Sequence, residues 1–257
     1  MVIARFVAIG DSTAEGVGDP YPKGSPAKYR GFADRLAARL APVEYANLAV
    51  SGYTAREIRE RQLHVAVAMR PDLVAVMAGM NDLIRPRFDL AAVGRELDAM
   101  HGAFEGAVIA FTLPEVADRL AFPPLSLALA RRMRALNAVI RASAARHGAL
   151  LIDLAAHSMG TDPRMWSADR LHGNAESHER LAVACAEALA LPGDHAWWRD
   201  PLPARPAPTT TQVLAERWHW MRTYLAPWLW KHAKGRPGFD QRVAKHAALQ
   251  DVLPDHG

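Results

Sequence analysis

The 257-residue sequence contains a single cysteine, Cys185, and this scarcity excludes two kinds of site. One cysteine cannot form an internal disulfide bond, and it cannot build a cysteine-rich metal centre. Cys185 lies in the apolar, helix-like stretch from Leu181 to Leu189. We therefore expect it to be a small core residue rather than a reactive thiol.

Long hydrophobic runs and concentrated positive charge are also missing. No apolar run approaches the roughly 18 residues of a membrane-spanning helix. The first residues have the pattern of a strand, without the basic segment followed by an apolar one that is typical of a secretion signal. The formal net charge is only +4 and lacks the basic stripe of a nucleic-acid-binding protein. These absences predict a cytoplasmic protein that binds no nucleic acid.

Strand-like and helix-like segments alternate through residues 1–191. The predicted strands are Val2–Ile9, Val43–Val50, Leu73–Ala78, Ala107–Leu113 and Leu150–Leu154, and the predicted helices are Lys28–Leu40, Thr54–Met69, Asp89–Phe104, Leu125–His147 and Asn174–Leu189. Each strand is a nearly continuous apolar run, which indicates burial on both faces, as in a parallel sheet. With right-handed crossovers, the pattern predicts an α/β fold. It is a three-layer αβα sandwich around a five-stranded parallel sheet of flavodoxin-like order.

The composition changes after this region. Residues 1–191 are predicted to form the α/β domain, residues 192–211 a Pro/Thr-rich linker, and residues 212–257 a Trp-rich, basic C-terminal extension with a helix at Gln212–Leu225. One interpretation is that this helix packs back onto the protein's own surface. The other is that it contacts a membrane surface with anionic lipid, because Trp and Tyr lie beside basic residues. The sequence leaves both open.

Four short stretches follow predicted strands or lie in the late loops. They are Gly10-Asp11-Ser12, Ser51-Gly52, Gly79-Met80-Asn81-Asp82 and Asp169-Arg170-Leu171-His172. Because the carboxyl ends of parallel strands meet at one edge of a sheet, we expect these stretches to form one cleft.

The residue types in this cleft suit nucleophilic catalysis. Ser12 can attack a carbonyl carbon if a base removes its proton, and His172 can take that proton and later return it. Asp169, three residues before the histidine, can hold the other ring nitrogen. The main-chain amides of Ser12 and Gly52 and the carboxamide of Asn81 can donate hydrogen bonds to a developing oxyanion.

Three polar residues near these stretches have simpler interpretations. Asp11 and Asp82 are predicted to be loop-stabilising hydrogen-bond acceptors, because Asp commonly bonds nearby main-chain groups in turns. His178 is predicted to be a surface or packing histidine and not a metal ligand, because no set of cysteine, histidine and carboxylate residues supports zinc-like coordination.

On these four stretches, taken in order over residues 1 to about 190, the sequence resembles the SGNH (GDSL) hydrolase superfamily. The resemblance implies that Ser12 is the nucleophile, His172 the base and Asp169 its partner. It also implies that Gly52 and Asn81 join the Ser12 amide as oxyanion donors. These assignments agree with the roles that the residue types suggest by themselves.

The sequence therefore predicts an SGNH-type serine esterase or lipase for a small-molecule ester or acyl substrate, with no metal and no organic cofactor. Two positions depart from the family pattern, since Thr13 stands in place of Leu and Gly173 in place of a frequent Pro, but neither change removes a chemical group. The alternatives are an acyltransferase with the same triad, a catalytically inactive binding protein, and a peripheral membrane protein that acts through its C-terminal tail.

Overall fold

A computed structural model describes residues 2–25, 27–117, 124–206, 209–227 and 243–254. The described residues form a six-stranded sheet in the order β5-β4-β3-β1-β2-β6. The strands are β1 (Arg5–Gly10), β2 (Val43–Asn47), β3 (Leu73–Met77), β4 (Ala107–Phe111), β5 (Leu150–Ile152) and β6 (His246–Val252). Strands β1 to β5 are parallel, and β6 runs antiparallel to β2.

The α/β class and the flavodoxin-like order of the five parallel strands are confirmed, but the predicted number of strands is wrong. The sixth strand, β6, was missed because its sequence lacks the apolar run of the other strands. It pairs only along the outer edge of β2, where Val43 lies opposite Val252 and Tyr45 opposite Gln250. Most of its side chains are exposed. Such an edge strand needs few buried side chains, and so it carries a weak sequence signal.

Helices cover both faces of the sheet because the strands present apolar side chains to both. The described helices are α1 (Ser12–Glu15), α2 (Gly31–Leu40), α3 (Ala55–Ile58), α4 (His64–Ala68), α5 (Met80–Leu83), α6 (Leu90–His101), α7 (Leu125–His147), α8 (Ala175–Ala188) and α9 (Thr210–Trp220). Within β1, Phe6 packs with the core on the α2 and α8 side, and Val7 packs with the core on the α6 and α7 side. The result is the predicted three-layer sandwich.

The helix predicted at Thr54–Met69 is a single helical segment with a local irregularity. Thr54 caps α3 in a capping box with Glu57, as the sequence indicates, and a π-helical turn at Arg59–Leu63 separates α3 from α4. This turn places the side chain of Gln62 inside the protein, where it exchanges two hydrogen bonds with the main chain of Gly10, at 2.8 and 2.9 Å. The irregularity thus braces the end of β1, next to Ser12.

The C-terminal extension returns to the α/β domain. Its predicted helix is present as α9 followed by a π-helical turn at Met221–Leu225. Trp228 and Trp230 lie outside the described residues. Just before β6, the buried ammonium group of Lys245 donates hydrogen bonds to the main-chain oxygens of Glu15 and Arg30 and to Asp34 Oδ1. In the part of the chain that the structure describes, no helix is long and apolar enough to cross a membrane.

Candidate active site

Ser12 lies directly after β1, at the start of the short helix α1. The Asp11 carboxylate caps this helix by accepting a hydrogen bond from the Thr13 amide at 3.0 Å. It also accepts one from Asn81 Nδ2 at 3.3 Å. Burial raises the pKa of Asp11 to about 6, and these contacts are those of a loop-stabilising acceptor. Asp82 likewise accepts a hydrogen bond from the Ala55 amide.

His172 lies on a small hairpin far along the chain from Ser12. Residues Trp166 and Gly173 form an antiparallel bridge, and the Ser167 amide donates to the His172 carbonyl oxygen at 2.8 Å. At the tip, the Asp169 carboxylate faces back into the hairpin. Its Oδ1 atom accepts hydrogen bonds from the amides of Leu171 and His172 and from Ser167 Oγ. The carboxylate therefore organises the turn that carries the histidine.

Ser12, His172 and Asp169 form a continuous chain of hydrogen bonds. His172 Nε2 lies 2.9 Å from Ser12 Oγ, and His172 Nδ1 lies 2.6 Å from Asp169 Oδ2. Burial alone would raise the pKa of Asp169, but the hydrogen bonds and charge of His172 outweigh it and hold that pKa well below its ordinary range. An ionised Asp169 accepts a hydrogen bond from the N–H group at His172 Nδ1, and this tautomer leaves the Nε2 lone pair facing the serine hydroxyl.

The structure places Asn81 beside the serine, and its Nδ2 atom donates to the Tyr53 carbonyl oxygen at 3.0 Å as well as to Asp11. Gly52 lies in the turn after β2, with φ +85°, a left-handed conformation that favours glycine. Among the described residues, those that line the cleft include Ser12, Asn81 and His172 but not Gly52. The turn after β1 and the loop after β3 thus meet in the cleft, whereas Gly52 is not one of its lining residues.

Glu15 connects the serine helix to the Gly52 turn, a contact that the sequence analysis missed. Its Oε2 atom accepts a hydrogen bond from the Ser51 amide at 2.7 Å and another, shorter one from Ser51 Oγ. Glu15 is therefore bonded to the residue directly before Gly52. A carboxylate three residues after the serine was visible in the sequence, but its partner depends on how β1 and β2 lie together in the sheet.

The cleft continues from Ser12 into an apolar space. Its walls include Met77, Leu113, Leu154 and Leu181, which come from both sides of the sheet edge and from α8. The hairpin packs tightly against the loop that follows α1. A Cβ atom added at Gly18 in this loop would lie only 1.9 Å from the Gly173 carbonyl oxygen. An apolar wall next to a serine hydroxyl suits the hydrocarbon part of an acyl or alcohol group.

His178 is fully buried, and it packs at the wall of the cleft. Its Nδ1 atom accepts a hydrogen bond from the Phe32 amide at 3.2 Å, and its Nε2 atom donates to the Val17 carbonyl oxygen at 3.1 Å. Burial lowers the pKa of His178 to about 4, so the ring is neutral at pH 7. The described residues contain no group of three or more His, Cys, Asp and Glu side chains that could hold a metal ion.

Similar solved structures share this fold. LAE5, an α/β hydrolase from the metagenome of Lake Arreo in Spain, is 24% identical, with a TM-score of 0.58 over 73% of this chain and 95% of its own. Axe2, an acetylxylan esterase from Geobacillus stearothermophilus, is 21% identical, with a TM-score of 0.59 over 75% and 98%. A lipase/acylhydrolase from Enterococcus faecalis is 23% identical, with a TM-score of 0.59 over 72% and 95%.

Sequence comparison gives the family directly. No curated protein matches the chain. Residues 8–180, however, match the GDSL-like Lipase/Acylhydrolase family, and this range contains the serine turn, the Asn81 loop and the histidine hairpin. Because the match covers more than half of the sequence, the chain belongs to the GDSL-like lipase/acylhydrolase family, whose members include ester-cleaving enzymes.

Proposed function

We propose that this chain hydrolyses carboxylic esters of small molecules through an acyl-enzyme intermediate on Ser12. The observation that carries the proposal is the chain of hydrogen bonds from Ser12 through His172 to Asp169, at 2.9 and 2.6 Å. The same three residue types support it in one neighbour. Variants of Axe2 that are described as catalytic mutants replace a serine, an aspartate and a histidine with alanine.

In the first step, Ser12 Oγ forms a bond to the carbonyl carbon of the ester as its proton passes to His172 Nε2. The imidazolium that results is stabilised by the Asp169 carboxylate. The tetrahedral intermediate then breaks its bond to the alcohol oxygen. That oxygen takes the proton from His172 Nε2 and leaves as the alcohol.

The carbonyl oxygen becomes negatively charged in the intermediate and needs preorganised donors. The amide of Ser12, the amide of Gly52 and the carboxamide of Asn81 are the proposed donors. Asn81 would contribute the N–H that now points toward Asp11 at 3.3 Å, the longer of its two hydrogen bonds. Gly52 would contribute through a turn that Ser51 and Glu15 hold in place.

Hydrolysis of the acyl-enzyme reverses these roles. A water molecule loses a proton to His172 Nε2 and forms a bond to the acyl carbon. The second tetrahedral intermediate then releases Ser12 Oγ, which takes back the proton, and the carboxylic acid leaves. These steps need only Ser12, His172, Asp169 and the oxyanion donors.

The direct test is turnover of p-nitrophenyl esters of increasing acyl length by the wild-type protein and by Ser12→Ala. We expect the wild type to release free carboxylic acid and the variant to lose this activity. Transfer of the acyl group to an added alcohol in preference to water would instead support an acyltransferase. Activity that survives in Ser12→Ala would overturn the proposal.

Covalent labelling by a fluorophosphonate provides a second readout. The label should attach to the wild type and to Ser177→Ala, which removes another hydroxyl of the same cleft, but not to Ser12→Ala. A wild-type protein that neither turns over esters nor takes the label would contradict the assignment of Ser12 as a nucleophile.

A further inference from the structure

The C-terminal extension contacts the hairpin that carries Asp169 and His172. Trp220, the last residue of α9, donates a hydrogen bond from its indole nitrogen to the main-chain oxygen of Asp169 at 2.8 Å. The guanidinium group of Arg170 lies over the same indole ring, 5.4 Å from its centre. Trp218 lies two residues earlier on the same helix, and 61% of its surface is exposed to solvent.

This contact falls on the turn of the hairpin. Arg170 has φ +62°, a left-handed conformation that an L side chain adopts at a cost and keeps only where its surroundings hold it. The donors to the Asp169 carboxylate come from within the hairpin, from Ser167, Leu171 and His172. The donor to its main-chain oxygen comes from 51 residues away. Trp220 therefore constrains the main chain of the turn from outside.

The segment that carries Trp220 is attached on both sides. Upstream, Arg164, which precedes the hairpin, donates hydrogen bonds to the main-chain oxygens of Pro203 and Leu202 in the linker. Downstream, Lys245 is bonded to the main chain of Glu15, at the end of the serine helix, and β6 pairs with β2. The extension thus reaches both sides of the site. Trp220 contacts the base side, which is the hairpin of Asp169 and His172, and Lys245 contacts the nucleophile side, which is the helix of Ser12.

We propose that the C-terminal extension completes the catalytic centre and that Trp220 is a positioning residue, which holds the Asp169 main chain and thereby the Asp169–His172 pair. This inference rests on the proposed function of that pair. Trp220 lies outside the segment that matches the family, because that match ends at residue 180.

The test compares Trp220→Phe with Trp218→Phe in the full-length protein. Trp220→Phe keeps an aromatic ring next to Arg170 and removes the indole N–H. We expect it to lower kcat for p-nitrophenyl acetate about five- to tenfold, with KM within about twofold of the wild type. A displaced His172 slows the proton transfer of the chemical step but does not weaken substrate binding. Trp218→Phe should match the wild type.

A role in folding alone would give a different result. In that case Trp220→Phe would lower Tm but keep the wild-type kcat and the wild-type pH profile of kcat/KM at temperatures where it is folded. That outcome would overturn the proposal. If the variant is too unstable to assay at 25 °C, assays at lower temperature with a substrate-analogue phosphonate give the same comparison through the rate at which Ser12 is labelled.

A third measurement does not depend on turnover. The proton on His172 Nδ1, bonded to Asp169, should give a low-field NMR resonance that is lost in His172→Gln. We expect Trp220→Phe to broaden or shift this resonance and Trp218→Phe to leave it unchanged. An unchanged resonance in Trp220→Phe counts against the positioning role. A wild-type protein with this resonance but without esterase or labelling activity counts instead against the proposed function.

Discussion

Ser12 and His172 meet in one cleft, but the chain brings them there by different means. Ser12, Gly52 and Asn81 follow β1, β2 and β3, so the register of the parallel sheet sets their positions within a few residues of buried strands. His172 lies beyond three short 3-10 helices after β5. It depends on the hydrogen bonds of its own hairpin and on a tryptophan from the extension.

This difference indicates where the site is robust and where it is vulnerable. On the side of Ser12, Gly52 and Asn81, the proposed nucleophile side, the register of the sheet sets most of the geometry, and a polar change at Asn81 should act mainly through the group it removes. On the base side, one carboxylate both organises the hairpin and holds the imidazole. A change at that carboxylate should therefore affect structure and chemistry together.

The largest expected effect is at the carboxylate of the base side. In Asp169→Asn, the amide group would face His172 Nδ1 as a donor and leave Nε2 protonated against Ser12. We expect kcat to fall by about 10³–10⁴. The control is Asp98→Asn, which removes a partly exposed carboxylate paired with Arg146 and should keep the wild-type kcat. A fall in kcat of less than about tenfold in Asp169→Asn would show that the site does not need the carboxylate of Asp169.

The next effect concerns Asn81, a proposed oxyanion donor. Asn81→Ala should lower kcat by about 10²–10³ with little change in KM, because the donor acts mainly on the charge of the intermediate. The fold should tolerate the change, since the strand ends are set by the sheet, and Tm reports whether the lost bond to Tyr53 matters. A wild-type kcat in this variant would remove Asn81 from the proposed donors.

A smaller effect is expected where the nucleophile side relies on a side chain rather than on the sheet. Glu15→Ala removes the acceptor for Ser51 and loosens the turn that carries Gly52. We expect about a tenfold lower kcat, partly restored in Glu15→Gln, which can still accept the Ser51 amide bond. The control is Glu44→Ala, on the exposed part of β2. Equal kcat in Glu15→Ala and Glu44→Ala would argue that the sheet alone places Gly52.

The smallest effect on activity at pH 7 is expected from His101 and Asp11, two buried groups whose titration changes the stability of the fold. Burial lowers the pKa of His101 to about 4 and raises that of Asp11 to about 6. The unfolded chain protonates His101 near pH 6.5, so its contribution is complete above pH 6.5 and is lost as the pH falls toward 4. The Asp11 contribution has the opposite sign, since it is present below pH 4 and lost as the pH rises through about 6.

Denaturant unfolding at several pH values checks these signs. The free energy of unfolding of the wild type, minus that of His101→Gln, should decrease by roughly 3 kcal/mol between pH 6.5 and 4. The same difference taken with Asp11→Asn should increase over this range. A flat difference for His101→Gln would mean that the ring takes up its proton at the same pH in the folded and the unfolded protein.

The contrast between the two sides also explains how far the sequence could predict this molecule. The parallel strands and the four polar stretches were predictable because apolar runs and turn residues are local signals. Ser12, Asn81 and His172 line one cleft and Asp169 is bonded to His172, whereas Gly52 is not a lining residue, and the catalytic roles stay proposals. The cysteine prediction is confirmed as well, since Cys185 is fully buried in the core.

What the sequence could not show are contacts between distant segments. Gln62 turns toward Gly10 only because a π-helical turn rotates it inward, and no periodicity predicts that turn. The bonds of Glu15 to Ser51 and of Trp220 to Asp169 join residues whose neighbourhood depends on the finished sheet. Strand β6 also lacks a local signal, because most of its side chains are exposed and it is defined by its pairing with β2.

The position of β6 has a consequence for how the protein is made. Lys245 and its partner Asp34 are 211 residues apart, and β6 pairs with β2 across a similar separation. At ribosomal rates of about 5–20 residues per second, roughly 10–40 seconds pass between the emergence of these partners. During that interval the outer edge of β2 has open hydrogen-bonding groups that can pair with another chain. A chaperone that shields nascent sheet edges would therefore act before β6 is translated.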